Sequence, residues 1–261
     1  MTTLIRMELL KLRTTRLTYG LFATAAGLTI AFSVLEAARA GTSAVAPLNT
    51  AAGLNAVITG GVWTLLLAAV LGVTVSSGEF RHGTATATYL TVPQRNRVLA
   101  AKSVAAACAG AVFGFAGWLI ATGVGLGFVI GHGYAEPIGV ATMARYAAGH
   151  VLAGALLAAI GVGLGSLVRS QLAAVMGVFV WMIVIESIVG DLFNGVQPYL
   201  PYTAATTLAG STLGGAAFGP AHGAVSSSGP LPFAAAAALL AGVCVVVATV
   251  AARTTVGRDI S

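Results

Sequence analysis

Six stretches of nearly uninterrupted apolar residues leave this chain few ways to fold. They cover approximately 17–35, 54–75, 103–130, 146–168, 172–189 and 233–252, each close to or beyond the roughly 20 residues that a helix needs to cross a bilayer. The runs are continuous and lack the alternation of a barrel strand, so helices are expected. Charge removes the soluble alternative. Only 8% of the 261 residues are charged and 57% are hydrophobic, whereas a soluble domain carries about a quarter charged residues. The sequence predicts an all-α membrane protein: six transmembrane helices in a single domain over 1–261, with no evident internal repeat.

Basic residues orient such a bundle, because Lys and Arg stay on the cytoplasmic side. With six spans and both termini on one side, that side holds eleven of the thirteen Lys and Arg residues. Only Arg39 and Arg145 fall opposite. Both termini are therefore expected to be cytoplasmic. The net charge of +6 then reflects loops beside anionic lipid rather than nucleic-acid binding. The first apolar run follows a long polar segment and exceeds the usual h-region, so it is expected to stay as a membrane helix despite the cleavage-like Ala38-Arg39-Ala40. Residues 1–16 are expected to form an interfacial helix on the cytoplasmic face, with Ile5, Leu9 and Leu12 at helical spacing.

No enzymatic chemistry is legible. There is no GxxxxGK[ST] loop and the only lysines are Lys11 and Lys102. There is no HExxH, and His82, His132, His150 and His222 are scattered, which argues against a zinc site. No GxSxG elbow presents a serine to a base. Cys108 and Cys244 lie inside spans without CxxC spacing and read as packing residues. Ionisable groups inside spans are sparse. His150 and Glu186 form a candidate outer-leaflet polar pair; in the other reading, Glu186 snorkels to the outer interface beside Asp191. The second is the expectation. Four pairs have GxxxG spacing, namely Gly110/Gly114, Gly123/Gly127, Gly127/Gly131 and Gly161/Gly165, suited to close helix packing within the chain or at a dimer seam.

Two loops stand out. Residues 78–97, GEFRHGTATATYLTVPQRNR, place a compact polar segment between the second and third spans. Ser76 with Glu79 has the form of a capping box, predicting a new short helix that Pro93 ends. Arg95, Arg97 and Lys102 are then expected to meet the membrane surface. Residues 190–232 form the large extracytoplasmic loop and hold five of the eight prolines. Within it, 199–213 is apolar enough to fold back onto the outer membrane face, with Tyr199 and Tyr202 at headgroup level.

The segment GEFRHGTATATYLTVPQRNRVLAAK resembles the loop between the second and third helices of ABC-2-type transporter permeases. It matches at Glu79, Gly83-Thr84, Pro93, Arg95, Arg97 and Lys102. The opening MTTLIRMELLKLRTTR also resembles that family's interfacial helix. The resemblance covers essentially the whole chain. It implies the membrane subunit of a bacterial exporter in the cytoplasmic membrane, paired with a second permease subunit and two cytoplasmic ATPase subunits that bind the ATP. The chain itself would hold no cofactor and no metal. Residues 78–97 would carry the short cytoplasmic coupling helix, with Glu79, Phe80, Arg81, His82, Gly83 and Thr84 against the ATPase. A non-transporting membrane scaffold and a secondary carrier remain the alternatives.

Overall fold

The computed structural model describes the chain except for residues 44, 82–94, 169, 194, 212–229 and 255–261, together with the side chains of 79–81, 95 and 191. The described residues are helical apart from short connections. They contain no β-strand, only an isolated bridge between Ala40 and Val45. Six helices are long and apolar enough to cross a membrane.

Helix α1 (Thr2–Thr14) leads into α2 (Arg16–Arg39), the first span. The second span is α3 (Ala51–Ile58) and α4 (Val62–Arg81), joined by a 3₁₀ turn at Thr59–Gly61. Helix α5 (Arg95–Gly131) and helix α6 (Val140–Leu167) follow. The fifth span is α7 (Gln171–Phe179), a π turn (Val180–Ile185) and α8 (Glu186–Leu192). A short helix α9 (Pro201–Leu208) precedes the last span, α10 (Phe233–Thr254). Each observed span extends past its apolar run at one end or both, although the fourth helix stops at Leu167.

The second span is the axis of the bundle. Its apolar window is 89% buried, against 11% for α10. Helices α2, α5, α6 and α7 pack around α4. Glycine makes the close approaches. A Cβ on Gly72 would strike the Ala158 carbonyl, and one on Gly161 or Gly165 would strike the backbone of Ala69 or Val73. Gly110 and Gly114 lie against the carbonyls of Gly154 and His150 in the same way. These contacts run α6 parallel to α4 and antiparallel to α5. Two of the GxxxG pairs are thus consumed inside the chain, while Gly123, Gly127 and Gly131 face no neighbour among the described residues.

The break in span two has a local cause. Gly60 and Gly61 weaken the helix, and the Ser33 hydroxyl of α2 donates to the Val57 carbonyl at 2.9 Å. A side chain inserted beside the helix ladder, next to paired glycines, is a usual origin of such a break. At the other end of this span the expected break is absent: α4 runs unbroken through Ser76 to Arg81. Ser76 and Ser77 are buried, and the Ser77 hydroxyl donates back to the Val73 carbonyl at 2.8 Å. A buried serine can satisfy its hydroxyl inside a continuing helix, so a capping pattern there marks no start.

Candidate functional site

Helix α9 is the least self-sufficient element of the fold. Eight residues are too few for a helix to be stable on its own propensity. Pro201 at its first position suits a helix start, but the preceding Leu200 has no side chain to cap it. The orphan donors of the first turn find their acceptor in the preceding helix, 16 positions back. Glu186 Oε1 accepts from the Tyr202 N–H at 2.8 Å. Its Oε2 accepts from the Thr203 N–H at 3.0 Å and the Thr203 hydroxyl at 3.2 Å. Glu186 therefore acts as an N-cap supplied from another helix, with its carboxyl oxygens at the positive end of the helix dipole.

The other end of α9 is closed by glycine. Gly210 adopts φ +87°, the Gly210 N–H donates to Thr207 and the Ser211 N–H donates to Thr206, the Schellman arrangement. The Asn55 side-chain amide donates to the Gly210 carbonyl at 3.0 Å, tying α9 to α3. Laterally, the Leu208 carbonyl occupies the space where Gly149 lacks a side chain, and the Tyr202 hydroxyl reaches the Val62 carbonyl at 3.4 Å. Burial raises the Tyr202 phenol above its ordinary value, with the Glu186 charge adding to the shift. It remains a neutral donor.

The π turn explains how Glu186 faces inward. Ala174, Val178, Met182 and Glu186 are all buried, four residues apart. In an uninterrupted α-helix each such step drifts by about 40°, which would carry Glu186 about a third of the way round from Ala174. The wider π turn takes up most of that drift.

These contacts correct the sequence-based expectation for Glu186. It does not snorkel: it is 3% exposed and bonded to α9. His150 is also fully buried, but its Nδ1 pairs with the Tyr146 carbonyl at 2.9 Å, and its Nε2 has no hydrogen-bond partner among the described residues. The contacts of the two residues are with different groups. The short helix expected within 199–213 exists. However, Tyr202 lies at 2% exposure among the spans, while Tyr199 is 59% exposed. Helix α9 packs on α4, α6 and α10, because burying Thr203, Ala204, Ala205 and Leu208 requires an apolar cleft.

The opposite end of the bundle holds a second buried carboxylate. Glu8 of α1 accepts from Lys102 Nζ of α5 at 3.3 Å and from Lys11 Nζ at 2.8 Å. Lys102, expected at the membrane surface, is 3% exposed because this partner draws it inward. Arg97 is exposed. Of the predicted coupling residues, Glu79, Phe80 and Arg81 close α4, with side chains outside the described set. His82, Gly83 and Thr84 lie outside the described residues altogether, as does the chain that joins α4 to α5. Sequence reasoning missed Glu8. Its signal was one acid on the same helical face as Leu12.

No family model matches the chain, and a comparison with curated proteins finds no match. Among the described residues no group of His, Cys, Asp and Glu could hold a metal ion.

Proposed function

We propose that this chain is the permease subunit of an ATP-driven exporter of the ABC-2 type, seated in a bacterial cytoplasmic membrane with both termini inside. The observation that carries the reading is the position of the polar segment 78–97. It joins α4, the most buried span, to α5, the longest, at the end of the bundle where Glu8 and Lys102 bring α1 against α5. A force applied there acts on the two helices with the most to transmit. Glu79, Phe80, Arg81, His82, Gly83 and Thr84 would meet a cytoplasmic ATPase, with Phe80 as the apolar anchor. Two ATPase subunits and a second permease copy, of the same or another chain, would complete the transporter. The small-residue face of α5 left open at Gly123 and Gly127 supports association with a second membrane subunit.

The test is the paired substitution Phe80→Ala and Arg81→Ala. A central buried aromatic contributes about 2 kcal/mol to an interface, so the variant should insert normally yet lose ATPase co-purification or its stimulation. Wild-type binding and stimulation in that variant would overturn the reading.

A further inference from the structure

We propose that Glu8 is a positioning residue that fastens α1 to the start of α5, so that the first span moves with the third when the segment between α4 and α5 is displaced. The source of that displacement rests on the permease reading; the fastening does not.

Glu8 and Lys102 are 7% and 3% exposed, 94 positions apart in sequence. A buried ion pair is a poor source of stability, since its desolvation penalty rivals its attraction. What it supplies is a specific tether between two helices far apart in sequence. Lys102 stands about two turns after Arg95, next to where the polar segment enters the bundle. Leu12, one turn beyond Glu8, is buried in the main apolar cluster, and Leu9 packs against it, so α1 is held by apolar as well as ionic contacts.

The displacement also has a route onward. Only Thr15 separates α1 from α2, with extended backbone at φ −85°, ψ 120°. That joint is braced from both sides: the Thr15 hydroxyl donates to the Lys11 carbonyl at 2.6 Å, and the Tyr19 hydroxyl donates to the Arg13 carbonyl at 2.8 Å. The path runs from the start of α5 through Lys102 and Glu8 to α1, and across the braced joint to α2. Without it, the first span would touch the moving part only through lateral packing.

The fastening is read on the full chain with Cys108 and Cys244 replaced by alanine and Leu12→Cys introduced. A water-soluble maleimide should label Cys at 12 slowly. Glu8→Gln withdraws the carboxylate charge from the buried Lys102 ammonium and should raise the labelling rate by about tenfold or more, as local opening exposes the site. Glu8→Leu with Lys102→Leu replaces the pair by an apolar contact and should restore slow labelling. Coupling is read in parallel as ATP hydrolysis by the ATPase that co-purifies with the chain. Stimulation should fall several-fold in Glu8→Gln and return in the double leucine variant. Unchanged labelling in Glu8→Gln overturns the fastening. Faster labelling with unchanged stimulation overturns its part in coupling. Absence of any co-purifying ATPase overturns the permease reading and the coupling role, while the labelling still decides the fastening.

Discussion

Glu8 and Glu186 lie near opposite ends of the same bundle, at 7% and 3% exposure, and each joins two helices, 94 and 16 positions apart in sequence. Their partners differ in kind. Glu8 is held by two ammonium groups, one of them on an exposed lysine side chain. Glu186 is held by two backbone N–H groups and a hydroxyl at the mouth of a helix, with the Trp181 side chain also bonded to it. An ammonium on a flexible stem can follow its acceptor over some distance, so the α1 end tolerates movement while the contact persists. Backbone donors are fixed to their helix, so the α9 end is either docked or undocked. The difference teaches where the molecule is rigid: at the end away from the polar segment.

The largest effect should come from removing the rigid contact. Glu186→Ala leaves two buried backbone N–H groups and the Thr203 hydroxyl without this acceptor and should cost several kcal/mol, at about 1–3 kcal/mol for each donor left unsatisfied. Thr203→Ala removes only the hydroxyl donor and should cost about 1 kcal/mol. Thermal unfolding in detergent ranks the two. Equal shifts would mean that α9 is held by its packing and not by its cap.

A smaller effect is expected from crowding the two ends. Gly149→Ala drives a methyl group into the Leu208 carbonyl and should cost about 1–3 kcal/mol as overpacking. Gly78→Ala, with nothing among the described residues within 4 Å of the added carbon, should stay within about 0.5 kcal/mol. Comparable losses at both sites would remove the contrast in rigidity.

The smallest effect belongs to Lys11. Its side chain is 51% exposed, and an exposed ion pair contributes about 0.2–1 kcal/mol. Lys11→Ala should leave Leu12→Cys labelling nearly unchanged, in contrast to Glu8→Gln. A tenfold rise in labelling would shift the fastening from Lys102 to Lys11.

Much of the architecture is legible in the residues alone. Hydropathy is a property of each residue and its immediate neighbours, and the cost of leaving a backbone unpaired in lipid selects helices. The class, the six spans and the short helix after the fifth span follow from those local terms. So does the polar segment between the second and third spans, because a charge run interrupts an apolar one wherever it falls. The tertiary structure decided which polar groups face one another. Nothing in the sequence around Glu186 says that a π turn will bring it into line with Ala174, Val178 and Met182, or that Leu200 will leave a helix uncapped beside it. Glu8 and Lys102 are ordinary residues of an interfacial helix and a loop edge until two helices 94 positions apart meet. The same holds for the glycines. Spacing identifies Gly110/Gly114 and Gly123/Gly127 alike, but only packing shows the first pair against backbone and the second against nothing. Local free energies choose the elements, whereas contact partners depend on the relative placement of whole helices, which no short window of sequence contains.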